Sequence, residues 1–295
     1  MITKPLQGKN VHPDLHIHST FSDGIYSPEA LCPLIEAAGL THVALCDHNT
    51  LEGIAPFSAA LTLREKARGI TSPLLIPGVE ISAGDLGRTH ILGYGANPDS
   101  SALQLWMQDL LSRRLERFHQ MLKKLAEHHM EIPLSLLPPL DGQHPVGRPH
   151  LARALVSLGY ASSLNQAFSQ WLGNGKPAEV PYRHISAAEA VAGLQNVGCI
   201  PVLAHPARLS LSMEGLFALI QSLQSQGLMG VEVFHPSISP GDLSSLESFV
   251  RSRGLLVTGG SDFHGDIPVK NPIGCYPGNW QQKKADLEAL LQHLA

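Results

Sequence analysis

The sequence predicts an α/β fold, a barrel in which strands alternate with helices and which is interrupted once by a helical insertion. Three observations lead there. Short apolar runs recur, each ending in a polar cluster, as strands buried on both faces do. Helix start and stop signals fall between most of these runs. One stretch, roughly 104 to 182, breaks that rhythm and carries a long helical periodicity instead. With 295 residues, 43% of them hydrophobic, the chain can bury a large core, either as one barrel or as a barrel with an insert.

Seven runs are the strand candidates: Leu15 to His18, Val43 to His48, Leu74 to Glu80, His90 to Gly95, Ile200 to His205, Val231 to Phe234 and Leu255 to Asp262. All seven are expected to lie parallel. Between them, Ser27 followed by Pro28 opens a helix that closes at Gly39. Ala187 to Val197 closes at Gly198, and Met213 to Gln226 closes at Gly227. From about Ser101 to Met130, Leu105, Leu111, Leu115, Phe118, Leu122 and Leu125 recur at helical spacing, followed by a Pro-rich turn and further helix. The expected organisation is a first barrel part at 11–103, a helical insertion at 104–182 and a second barrel part at 183–295.

Composition narrows the function. No apolar stretch reaches the roughly 18 to 20 residues that span a bilayer, and the N-terminus lacks the apolar middle of a signal peptide; a cytoplasmic protein is expected. Cys32, Cys46, Cys199 and Cys275 stand singly, so neither a disulfide framework nor a zinc ribbon is suggested, and they read as small buried groups. A net charge of −4 argues against coating duplex nucleic acid through a basic surface. Nothing in the sequence calls for an obligate protein partner. Histidine, at 16 residues, is unusually abundant, and it is the commonest metal ligand.

Several of those histidines sit at strand ends beside carboxylates. His16 and His18 alternate along one strand, so both rings face one side. Asp23 follows in a turn; Asp47 and His48 end the second run, Glu80 ends the third and His90 opens the fourth. His205 ends the fifth, and Asp262 with His264 ends the last. In an α/β barrel, residues at the C-terminal ends of strands converge on one mouth. Six histidines and three carboxylates there are too many ligands for one ion and suit two or three divalent ions.

The ordered set H-I-H-S-T-F-S-D-G, C-D-H-N-T, G-V-E-I-S, A-H-P and S-D-F-H-G resembles the polymerase and histidinol phosphatase (PHP) family, along nearly the whole chain. The resemblance implies a distorted (β/α)7 barrel with an inserted small helical domain acting as a substrate lid. Gly147 to His150 (G-R-P-H) and Leu172 to Pro177 (L-G-N-G-K-P) resemble the insert of a bacterial branch. That branch includes phosphatases of nucleoside 3′,5′-bisphosphates and 5′-to-3′ exoribonucleases. The family pattern implies that His16, His18, Glu80 and Asp262 hold a first ion. Glu80 would then bridge to a second on His90 and His205, with Asp23, His48 and His264 holding a third. No ligand position is substituted, although Cys46 stands where threonine is commoner and His235 where an aromatic is more usual. The likeness favours manganese, with iron or zinc compatible.

The expected activity is hydrolysis of nucleotide phosphate esters, on a nucleoside 3′,5′-bisphosphate or short RNA, by in-line attack of a hydroxide bridging the ions, without a protein nucleophile. Asp47 is expected to orient a ligand histidine through its distal N–H. For the phosphate, Arg148 and His150 are the first candidates, because a guanidinium grips phosphate in bidentate fashion. Lys176 and Arg208 come next. Of the remaining histidines, His12, His42, His119, His128, His129, His144, His184 and His293 read as surface or structural groups, and His235 as a bystander near the site edge. The rivals are a histidinol-phosphate-type phosphatase, an amidohydrolase cleaving a C–N bond and a non-catalytic metal-stabilised module. The insert argues against the first. Asp23 and His48, together with the lack of a strand-end lysine able to form a carbamate, argue against the second, and the intact ligand set against the third.

Overall fold

The computed structural model describes residues 11–84, 89–142, 144–180, 185–266, 271–278 and 284–295; His184 and the expected domain junction near 182 lie outside them. Two compact units emerge, one formed by 1–100 with 184–295 and the other by 101–183.

The first unit is a nearly closed seven-stranded barrel whose strands follow one another in chain order. They are β1 (Pro13–Ile17), β2 (His42–Leu45), β3 (Leu74–Ala83), β4 (Thr89–Tyr94), β5 (Ile200–Leu203), β6 (Gly230–Phe234) and β7 (Leu256–Gly259). The circle closes where Ile17 bridges Phe263 in parallel. There His18 N–H donates to Phe263 O and Asp262 N–H to His16 O. Leu15, Ile17, Val43, Leu45, Ile76, Val79 and Tyr94 are all fully buried, the continuous apolar runs that a sheet covered on both faces requires.

One expectation fails here. β4 is antiparallel to both β3 and β5. Only five residues, Gly84 to Arg88, separate β3 from β4. A parallel return needs a crossover of a dozen or more residues, so so short a link forces a hairpin. The reversal matters for the site, because it brings the start of β4 to the same mouth as the end of β3, with His90 paired to Ser82.

Helices α1 (Pro28–Ala37) and α2 (Ile54–Arg68) follow β1 and β2. In α1, Ser27 caps by accepting from Ala30 N–H, Pro28 occupies the first position, and Gly39 turns the chain at φ 65°. The second unit holds α3 (Ser101–Glu127), α4 (Arg148–Ser157) and α5 (Leu164–Ala167), the last running directly into a π-helical turn, Phe168–Leu172. They enclose a core of Phe118, Met121, Leu125, Leu151, Leu155 and Leu172. Leu105, expected on the apolar face of α3, is 67% exposed, because the buried stripe there runs through Leu103 and Met107. Back in the barrel, α6 (Ala187–Asn196) opens with a Ser186/Glu189 capping box. After it, α7 (Met213–Gln224), α8 (Pro240–Ser252) and α9 (Lys284–His293) complete the helices. All four cysteines are free; Cys275 is exposed rather than buried.

Candidate metal centre

His16, on β1, and His18, just beyond it, are both fully buried, and their Nε2 atoms stand 3.1 Å apart. Asp262 Oδ1 lies 3.5 Å from the first and 3.2 Å from the second. Glu80 Oε2 lies 3.4 and 3.2 Å from the same two atoms. Donor atoms around an ion at ~2.1 Å sit roughly 3.0 to 3.4 Å from one another. The four side chains therefore already have the spacing of a coordination shell.

Glu80 is the hub. Its Oε1 is 2.8 Å from His90 Nδ1 and 2.9 Å from His205 Nε2, and those two nitrogens are 3.2 Å apart. Its Oε2 also meets His48 Nδ1 at 3.2 Å. On the far side of His48 lies Asp23, 3.8 Å from His48 Nε2 and 3.2 Å from His264 Nε2. All nine side chains singled out at strand ends thus meet in one pocket. His18 and His48 each turn one nitrogen to Glu80 and the other to Asp23. Three ion-sized clusters result: His16, His18, Glu80 and Asp262; His48, Glu80 and His90; and His18, Asp23, His48 and His264.

The electrostatics match this chemistry. Burial by itself would depress His16, but Glu232, Glu80 and Asp262 outweigh it and hold the ring well above its usual range. His18 is also depressed by burial and is carried up to about 10 by hydrogen bonding to Asp262 and Glu80. Glu80, Asp23 and Asp262 are held well below the ordinary carboxylate range, their burial overcome by the surrounding imidazoles and, for Asp262, by Arg208. His205 is pushed down to about 4 by burial, leaving a neutral ring fit to donate a lone pair. A buried field this negative favours divalent cations.

Backbone geometry at the mouth is unusual. Asn49, His205 and Asp262 have φ of 55°, 28° and 53°, conformations that cost side-chain-bearing residues roughly 1 to 3 kcal/mol each and that cluster at functional sites. Gly260 lies against β1, where a Cβ would stand 2.4 Å from that of His16.

Supporting groups differ from expectation. Asp47 accepts from Ser19 N–H at 2.8 Å, Ser19 Oγ at 2.7 Å and Ser22 Oγ at 2.5 Å. It reaches a histidine only through Ser22, whose Oγ is 3.4 Å from His18 Nδ1. Both carboxylate oxygens are taken up by the tight turn after β1. The direct support comes instead from Glu232, fully buried on β6, with His16 Nδ1 at 3.0 Å and His205 N–H donating at 2.7 Å. With Nδ1–H donating to Glu232, the His16 ring presents Nε2 to the cluster. The sequence carried a signal for it: a lone carboxylate inside the apolar run V-E-V-F, which must find a partner once buried. His235, expected to be a bystander, is buried with Nε2 3.6 Å from Asp262 Oδ2.

Arg208 places Nη1 2.5 Å from Asp262 Oδ2 with its side chain 44% exposed. In the helical unit, Arg148 opens α4 with Nη1 3.4 Å from Asn174 Oδ1, so it meets the L-G-N-G-K-P loop, where Lys176 is exposed. His150 is buried, and its Nδ1 accepts from Gly147 N–H at 3.2 Å, the role of a helix-start residue.

Residues 14–135 match the PHP domain family. The chain is 32% identical to the 3′,5′-nucleoside bisphosphate phosphatase of Chromobacterium violaceum, over 85% of this chain and 86% of that protein. It is 31% identical to the 5′-3′ exoribonuclease Rnm of Escherichia coli, over 86% of each. Its fold superposes with a TM-score of 0.81, at 27% identity, on a protein of Bifidobacterium adolescentis assigned as a metal-dependent phosphoesterase, covering 98% of this chain and 97% of that one.

Proposed function

The chain belongs to the PHP family and is a hydrolase of phosphoric ester bonds; within that activity we propose that it removes the 3′-phosphate of nucleoside 3′,5′-bisphosphates, trims short RNA from its 5′ end, or does both. The observation that carries the reading is Glu80, one buried carboxylate with five imidazoles within 3.4 Å of its two oxygens. That arrangement suits a bridge between ions. When bound, divalent ions at these positions supply neutralisation of the phosphate oxygens, a water made acidic enough to attack, and stabilisation of the leaving alkoxide.

The chain's own part is to hold and orient. His16, His18, Glu80 and Asp262 are assigned to one ion, Glu80, His90 and His205 to a second, and Asp23, His48 and His264 to a third. Glu232 fixes the His16 ring, and Asp47 stiffens the turn that carries His18. Arg208, half out in solvent beside Asp262, is assigned to the substrate phosphate. Arg148 and Lys176, both in the helical unit, are assigned to substrate binding. His150 serves α4. We assign manganese to the site, mixed imidazole and carboxylate ligation being equally compatible with iron or zinc. The four free thiols fit a cytoplasmic location, and among the described residues no helix is long and apolar enough to cross a membrane.

Phosphate release from adenosine 3′,5′-bisphosphate, 5′-phosphorylated short RNA and histidinol phosphate, with Mn2+ supplied, tests the proposal. The first two are expected to be turned over well ahead of the third; a preference for histidinol phosphate would overturn the substrate assignment. His16→Ala is expected to stay folded and lose activity by about a hundredfold or more. Normal turnover by a metal-replete His16→Ala protein contradicts the mechanism. Arg148→Ala should raise KM for the bisphosphate, and an unaltered KM removes Arg148 from the site.

A further inference from the structure

His235 is a buried imidazole with one nitrogen used and the other aimed into the site. It follows β6 and is 1% exposed. Its Nδ1 accepts from the backbone N–H of Ser237 at 3.0 Å, with the Ser237 hydroxyl also against it at 2.7 Å. A ring nitrogen that accepts a backbone N–H carries no proton of its own, so the proton resides on Nε2. That Nε2–H is buried without a hydrogen-bond partner and faces Asp262 Oδ2 at 3.6 Å. A buried donor left unsatisfied is costly, and a carboxylate is the strongest acceptor it could meet.

Asp262 is divided between two environments. Its Oδ1 faces His16, His18 and His264 at 3.5, 3.2 and 3.6 Å. Among the described residues its Oδ2 faces Arg208 Nη1 at 2.5 Å and His235 Nε2 at 3.6 Å. We propose that His235 is a positioning residue, closing its Nε2–H onto Asp262 Oδ2 so that the carboxylate presents Oδ1 alone to the ion cluster. The proposal rests on the metal-centre reading above. Arg208 grips the same oxygen from a side chain 44% exposed, so a phosphate can draw it away. His235, packed edge-on to the His205 ring with centroids 5.5 Å apart, has no such freedom. The two donors therefore divide the work: His235 keeps the ligand in place while Arg208 is released to the substrate.

Chelator competition with Mn2+ on the full chain, compared between wild type, His235→Phe and His235→Gln, tests this. Phenylalanine keeps the ring volume and drops the donor; glutamine restores an amide N–H at about the reach of Nε2. His235→Phe is expected to bind Mn2+ about tenfold to a hundredfold more weakly, and His235→Gln to recover most of that loss. Nitrogen-15 spectra of the metal-free wild type should show the Nε2–H tautomer of His235. Wild-type affinity in a folded His235→Phe protein overturns the proposal, and so does an Nδ1–H tautomer. Should His235→Phe not fold, His235→Gln decides, since the full loss of affinity there is equally fatal. Wild type that takes up no Mn2+ sinks the metal-centre reading itself, and this is seen without any variant.

Discussion

His18 shows how a single side chain ties pH to the state of the site. Its pKa stands at about 10 against an ordinary 6.5, so folding favours its protonated form. In the metal-free protein that contribution to stability is complete below 6.5 and is lost as pH rises through about 10. Glu80 and Asp262, held well below 4.5 and 3.8, show the acid side of the same interactions. Their contribution is present above those ordinary values and lost as pH falls through the depressed ones. Ions must displace the protons, so Mn2+ affinity should rise with pH up to about 10, by roughly tenfold per unit for each proton released. Chelator competition at several pH values measures it, and an affinity flat between pH 6.5 and 8.5 is the contrary result. Glu232→Gln, which keeps the shape and removes the charge behind His16, should weaken Mn2+ binding about tenfold to a hundredfold. An unchanged affinity there would show that the pair with His16 is only structural.

At the scale of elements, the strand ends matter more than the strands. β7 and the segment after it approach β1 so closely that Gly260 has no room for a side chain: an added Cβ would also lie 2.7 Å from His16 N. Gly260→Ala is expected to push the two segments apart, costing about 1 to 3 kcal/mol and moving Asp262 relative to His16 and His18. Melting temperature and Mn2+ stoichiometry should fall together. If stability drops while the ion count holds, the closure at β1 and β7 does not set the site. The β3 and β4 hairpin does comparable work in the other half of the pocket, since its register places His90 beside Glu80.

Considered as a whole molecule, every assigned ligand lies in the barrel unit, and the helical unit has its own apolar core. Ion removal should therefore act unevenly. An ion held at a hundred times its Kd contributes roughly 2.7 kcal/mol to stability, so stripping the protein with a chelator should lower its Tm by several degrees. Hydrogen exchange should accelerate at the mouth ends of β1, β3, β5 and β7, while amides around Phe118, Leu151 and Leu172 keep their protection. Uniform loss of protection across both units would contradict a site confined to the barrel.

The linear sequence by itself determined which residue types could do the chemistry and where along each strand they stand. Apolar runs, the Ser27 cap and the strand-end histidines are local signals, because periodicity and capping act over a few residues. His90 was legible as a candidate, and its antiparallel route into the pocket follows from a link too short for a parallel return, a limit that the pattern of apolar runs does not register. Only the tertiary structure decided that Asp47 is spent on Ser19 and Ser22, and that Glu232 and His235 stand behind the ligands. Each of those facts is a contact between residues far apart in the chain. Their partners are chosen by packing in three dimensions, which no local pattern encodes.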